Sequence, residues 1–338
     1  MNILVTGGAG YVGSNLIPEL IKDGHYVKCL DRFFFGADFL SSSEFDGRLE
    51  LIKTDIRWFD PKILEDIDLV FDLAALSNDP VGELNPEKTH EINHLGRTRV
   101  ATESKRAGVK QYVLASSASI YGQQEQIASE TSVVHPITAY SKANRNAEID
   151  TLKLHDNTFC VSVLRFSSLY GISPRMRFDI SVNEMVLNLF KNSKIVVRGK
   201  NNQRPFLHVR DAVLAYQLII NADFDKIGGE IFNVGDESQN YSIGKLAEII
   251  KNSIDIESKL ELGDNVDHRS YAASFEKIRN ILNYKPTSTL RDGSLEIYKS
   301  LQSGEITDEV KTITLKWYQK IQSDPELLKI HSIDGKFL

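Results

Sequence analysis

Thr6-Gly7-Gly8-Ala9-Gly10-Tyr11-Val12-Gly13 follows an apolar run at residues 3–5 and leads into an amphipathic stretch over residues 11–21. Glycines at 7, 10 and 13 give a GxxGxxG spacing, in which absent side chains let the backbone and a helix N-terminus approach a pyrophosphate. A glycine pattern alone marks little more than a tight turn. Here it joins a strand to a helix, and the next apolar run ends in Asp31, 18 residues beyond Gly13, where a carboxylate accepts hydrogen bonds from an adenosine ribose. The stretch predicts a dinucleotide site in the first βα turn, with Gly7, Gly10, Tyr11, Val12, Gly13 and Asp31 around it. Asp31 would repel a ribose 2′-phosphate and favours NAD; its neighbour Arg32 would welcome one, which keeps NADP open as the less favoured cofactor.

Outward from that turn the same alternation continues. Short apolar runs at residues 26–30, 49–52, 69–71, 111–115 and 159–164 are separated by stretches of helical period. Strands alternating with helices predict an α/β fold with a doubly wound, Rossmann-like parallel sheet that binds ligands at the C-terminal ends of its strands. Beyond about residue 170 the order loosens into helix-like 177–191, strand-like 194–197, helix-like 211–222 and strand-like 230–234. The expected division is a dinucleotide-binding domain over 1–170 and a smaller α/β substrate-binding domain over 171–338, with some segments returning to the first.

Composition narrows the function classes. The 338 residues carry 41% hydrophobic and 25% charged side chains, ordinary for a globular chain, and a net charge of -6 that gives no footing for nucleic-acid binding. Cys29 and Cys160 each sit inside an apolar run and read as small buried hydrophobes rather than a disulfide, a metal pair or a nucleophile; no metal site is expected. No apolar run approaches the ~18 residues of a membrane span, and the N-terminus has no basic leader, so a cytoplasmic protein is expected.

From the glycine turn onward the chain resembles the extended short-chain dehydrogenase/reductase family, in particular its nucleotide-sugar epimerases and dehydratases. Asp55-Ile56 is similar to the pair that contacts adenine, Leu73-Ala74-Ala75 to the segment under the cofactor ribose and phosphates, and Asn93 to the asparagine of the following helix. Ser116-Ser117-Ala118-Ser119-Ile120-Tyr121-Gly122 resembles the serine-rich strand end, with Ser117 in the catalytic Ser/Thr place. Arg204, leading Arg204-Pro205-Phe206-Leu207-His208-Val209-Arg210-Asp211, and Arg269, within Asp267-His268-Arg269-Ser270-Tyr271, look like the arginines that clamp the sugar nucleotide's diphosphate. Asn183 falls where the family often places an asparagine near the same diphosphate, and Ser173-Pro174-Arg175-Met176-Arg177-Phe178-Asp179 resembles a segment of a subset of these enzymes.

The chemistry that the resemblance implies needs a tyrosine phenolate that takes a sugar hydroxyl proton while hydride leaves the ring carbon. Tyrosine begins near pKa ~10, and the family's usual help is a lysine four residues later on the same helical face. Tyr140 is in place, but position 144 is Asn. Lys142 is turned roughly 200° away if residues 140–142 are helical, and reaches inward only if they are loop. With Asn144 the oxidised nicotinamide is expected to be the main cation near Tyr140, and slow or narrowly tuned catalysis is expected. Ala118 and Ser119 stand where dehydratases carry acids, which disfavours elimination and decarboxylation; Ser168 replaces an asparagine usual before Tyr170-Gly171.

What the resemblance implies is an NAD-dependent nucleotide-sugar epimerase that oxidises a ring carbon, C4, and returns the hydride to the opposite face. The alternatives are an oxidoreductase with net hydride transfer, and a non-catalytic dinucleotide-binding sensor, which the Asn144 departure favours. The resemblance further implies a homodimer through helices over 86–106 and 139–155, and a role in cell-surface polysaccharide synthesis.

Overall fold

Successive residues of the first strand face opposite ways. Ile3 and Val5 pack with Leu16, Ile17 and Leu20 in one apolar layer, and Leu4 packs with Ile56 and Val100 in the other. Such period-two alternation with both faces apolar is the mark of a strand covered by helices on each side. The computed structural model describes residues 1–40, 45, 47–264 and 267–338.

The strands are β1 (Asn2–Thr6), β2 (Tyr26–Asp31), β3 (Leu49–Lys53), β4 (Leu69–Asp72), β5 (Gln111–Ser117), β6 (Cys160–Phe166), β7 (Ser168–Tyr170), β8 (Lys194–Arg198), β9 (Gln203–His208), β10 (Ile231–Val234), β11 (Asn240–Ser242) and β12 (Lys259–Gly263). Seven of them form one sheet in the order β10-β6-β5-β4-β1-β2-β3. Every pairing in it is parallel. The order reverses at β1, between β2 and β4, and the crevice beyond the strand ends at such a switch point is where an open α/β sheet takes its ligand. The Rossmann-like expectation holds, and both cysteines lie buried, as expected of small hydrophobes.

The later residues form smaller pieces. A three-stranded sheet runs β11-β9-β7, and β12 pairs with β8. Val182, Val186, Leu189, Ile195, Val197, Leu246, Ile250 and Ile297 share a separate apolar core. Tyr11 stitches the two parts together by donating its hydroxyl to Gly171 O at 2.7 Å, and the Ser14 and Ser173 hydroxyls meet at 2.9 Å.

Two sequence expectations change here. The helix read over 177–191 is Ser181–Asn192, because residues 177–180 stay non-helical and carry Arg177 and Asp179 to the crevice. Strand β9 is not among the expected strands; it holds Pro205, a residue usually barred from a central strand. Pairing with β7 begins at Phe206, one residue later, so that side makes no demand on the missing N–H of Pro205.

Candidate active site

Gly7 adopts φ +66°, and a Cβ there would lie 2.7 Å from the Ala74 backbone. A Cβ on Gly13 would lie 2.5 Å from the backbone of Gly8. The turn is thus built for close backbone approach at both ends. The helix it opens, Gly13–Lys22, has no side-chain cap and no acid in its first turn, which leaves its N–H dipoles open to an anion. Asp31 is fixed by N–H groups of Ala9 at 3.0 Å and Phe33 at 2.7 Å, while burial pushes its carboxyl above the usual range.

Arg32 is spent elsewhere. Its guanidinium donates to Asp55 Oδ2 at 2.7 Å and to the carbonyls of His331 and Lys336, each at 2.9 Å. Burial works to raise the Asp55 carboxyl, but the Arg57 fork and Arg32 outweigh it and hold it below the ordinary value. The last residues, which the sequence reading left without a role, fold back beside this corner: Phe337 packs with Phe34 and Tyr318, and Phe337 and Leu338 line the crevice.

One cleft of about 480 Å³ gathers Gly7, Gly10, Tyr11, Val12, Gly13, Asp31, Arg32, Asp55, Ile56, Leu73, Ala74, Ala75, Ser117, Tyr140, Asn144, Arg204 and Arg269. Two expected residues stand outside its lining. Asn93 is buried and clasps the backbone of Leu76, accepting from its N–H at 2.8 Å and donating to its carbonyl at 3.0 Å, so it shapes the loop after β4. Asn183 accepts from Gly171 N–H at 3.1 Å and donates to Arg177 O at 2.9 Å, Gly171 O at 3.2 Å and the Tyr11 hydroxyl at 3.3 Å. Its amide is consumed in joining the two parts of the chain and is not presented to a diphosphate.

Tyr140 is the second residue of the helix Ala139–Leu152, whose start is fixed by a capping box between Thr138 and Ser141. Because the helix has begun, Lys142 points outward, exposed, into a separate groove with Glu83 and His90. The loop alternative for Lys142 is therefore closed. Glu148 anchors the same helix to the sheet: Arg165 grips it bidentately at 2.9 and 2.8 Å, and the Ser116 hydroxyl adds a bond at 2.6 Å. The Ser117 hydroxyl, at the end of β5, interacts with the Tyr140 phenol. Burial, aided by the charge of Asp79, raises the Tyr140 pKa; Ser117, Arg97 and Arg177 pull against that rise.

Arg97 was missed from the sequence, where it is one cation in a helical stretch. It is 1% exposed and donates to Asn144 Oδ1 at 2.7 Å. The nicotinamide expected as the main cation near Tyr140 thus has a protein cation, Arg97, in the same cleft. Arg204 and Arg269 converge on Asp267: Arg204 Nη2 reaches its Oδ2 at 3.0 Å, and Arg269 grips it through Nε at 2.9 Å and Nη2 at 2.8 Å. Arg269 also pairs with Asp79. Only Arg269 grips the Asp267 carboxylate as a fork; the other Arg204 donor goes to the carbonyls of Gln203 at 2.7 Å and Arg269 at 2.5 Å.

A model of the NAD dependent epimerase/dehydratase family matches residues 3–235. The chain belongs to this family. It is 30% identical over 306 residues to UDP-glucuronic acid decarboxylase 1 of Arabidopsis thaliana, covering 87% of this chain and 68% of that one. It is 26% identical over 324 residues to an uncharacterized UDP-glucose epimerase, YtcB, of Bacillus subtilis, covering 90% of this chain and all of that one, 100%. Among solved structures, MoeE5 in complex with UDP-glucuronic acid and NAD superposes with a TM-score of 0.79 at 25% identity, covering 90% of this chain and 100% of that one. UDP-glucuronic acid 4-epimerase from Bacillus cereus shares the fold with a TM-score of 0.81 at 24% identity, covering 90% and 99%.

The cleft of this family member fits NAD. Its open helix N-terminus and glycine approach suit a pyrophosphate, the buried Asp31 would stand against a 2′-phosphate, and Arg32, the group that would have welcomed one, is already committed to Asp55 and two carbonyls. No helix among the described residues is long and apolar enough to cross a membrane.

Proposed function

We propose that the chain is an NAD-dependent nucleotide-sugar epimerase that works by transient oxidation at C4 of the sugar. The observation that carries this reading is the placement of Tyr140 and Ser117 in the same cleft as the glycine turn and the Arg204–Arg269 pair. In this reading residues 1–170 hold the cofactor, and residues beyond 170 bring the arginines that hold the substrate.

Bound NAD supplies a hydride acceptor and donor. Tyr140 takes the proton of the C4 hydroxyl as hydride leaves and gives it back when hydride returns to the other face. Ser117 hydrogen-bonds the same oxygen and keeps it beside the phenol. Arg204 and Arg269 exchange Asp267 for the diphosphate and hold the nucleotide end, so that the sugar can turn while the rest stays bound.

Asp79 sits between the two halves of this machinery. It accepts the Thr138 hydroxyl at 2.5 Å at the cap of the tyrosine helix, and it pairs with Arg269 of the clamp. Filling the clamp therefore alters the charge around Tyr140, a link between substrate binding and proton transfer.

A second reading, decarboxylation of a nucleotide-linked uronic acid, is favoured by the name of the Arabidopsis relative. Loss of carbon dioxide from such a substrate, against conversion to its C4 epimer, separates the two by product analysis. For assembly, the same two helical segments that the family resemblance pointed to leave Leu95 49% and Ile149 38% exposed. We read them as a homodimer seam; light scattering on the purified chain tests it.

A further inference from the structure

The position that carries the family's lysine is Asn144, and the nearest lysine in sequence, Lys142, faces outward. The cation is instead supplied from another helix. Residues 86–107 form one helical run with a π-helical segment at Glu91–Gly96, and Arg97 is the first residue after it. A π segment rotates the residues that follow relative to a plain helix, and such segments gather at functional sites. Arg97 lines the cleft together with Tyr140 and Asn144.

There the guanidinium is held on three sides. Nη1 donates to Asn144 Oδ1 at 2.7 Å, while Nη2 donates to Asp72 O at 2.9 Å and to Ala115 O. Because arginine has donors only, the contact fixes the Asn144 amide with its oxygen toward Arg97 and its nitrogen toward the backbone carbonyl of Tyr140, 3.0 Å away. The closest acid, Asp72, lies 3.9 Å from Nε, and its oxygens already accept the Thr6 and Tyr112 hydroxyls at 2.5 Å each. Among the described residues Nε has no hydrogen-bond partner.

We propose that Arg97 is the cation that serves Tyr140 in this chain, acting as a positioning residue through Asn144 in place of the absent lysine. The inference rests on Tyr140 being the proton-abstracting group and adds the source of its positive charge. Arginine suits the task because it stays charged when buried, where a lysine can lose its proton. The other charged groups facing Tyr140 are Asp79, which opposes the phenolate, and Arg177, which favours it but is paired with Asp179 at 2.8 Å. Tying the ends of β4 and β5 to two helices is a structural service that Arg97 also performs, so the test must read charge rather than folding.

The experiment is a pH titration of tyrosinate absorbance in the NAD-loaded protein, taken as the difference from Tyr140→Phe. Arg97→Met should raise the midpoint by about 1 unit or more. Arg97→Gln, which keeps a hydrogen-bond donor toward Asn144 and removes the charge, should raise it likewise. A folded, NAD-binding Arg97→Met protein with an unmoved midpoint overturns the proposal. If Arg97→Met does not fold, the midpoint of Arg97→Gln decides: one near the parent value overturns the proposal, and one raised by about 1 unit supports it. Full turnover by Tyr140→Phe would instead defeat the epimerase mechanism itself, an outcome read separately from the midpoint.

Discussion

Tyr140 carries two opposed demands at the scale of single residues. Burial and Asp79 hold its pKa above the ordinary phenol value, and the reaction needs the phenolate. The active form is the deprotonated one, so neutral pH lies on the acid side of the ionisation and the rate should climb with pH until the phenol has titrated. Asp79→Asn removes the opposing anion and should move that limb to lower pH; a pH profile of kcat checks it. Tyr140→Phe should cost about 10²–10⁴-fold in turnover while leaving NAD bound, measured by product formation and by the cofactor retained. Arg97 shows why this part of the site was not legible in sequence. A lone arginine in a helical stretch is ordinary, and nothing in the sequence marks the π segment that precedes it. Asn183 shows the reverse: its position matched, but its amide is consumed by Gly171, Arg177 and Tyr11.

Single elements are placed by a few buried contacts. The tyrosine helix is fastened to the sheet by the Arg165–Glu148 pair, 1% and 0% exposed in their side chains. Arg165→Met would leave the buried Glu148 only Arg145 at 3.0 Å and the Ser116 hydroxyl, and should cost about 3 kcal/mol, read as a lowered denaturant midpoint. At the glycine turn, Gly13→Ala would drive a methyl into the Gly8 backbone, and NAD retention should fall sharply even in protein that still folds; equilibrium dialysis reads it. The first six strands were legible because each is a short apolar run between stretches of helical period, β3 included although it is the exposed edge of the sheet. Strands β7 and β11, three residues each, give no period to read, and β9 is masked by Pro205.

Over the whole molecule, the sheet's reversal at β1 puts the glycine turn and the end of β4 on one cleft, and the smaller part brings Arg204 and Arg269 to its mouth. Asn144 had favoured a non-catalytic sensor; Arg97 supplies a reason why a chain without the lysine could still turn over. If the exposed Leu95 and Ile149 form a seam between copies, Leu95→Glu combined with Ile149→Glu should halve the mass seen by light scattering.

The central claim is tested most directly by incubating the NAD-loaded chain with a panel of nucleotide sugars that differ at C4, following the sugar by NMR and reduced cofactor by absorbance. The account predicts interconversion of one C4 pair with no net reduced cofactor, abolished in Tyr140→Phe. Retained NAD with no sugar converted, or stoichiometric accumulation of reduced cofactor, would contradict it.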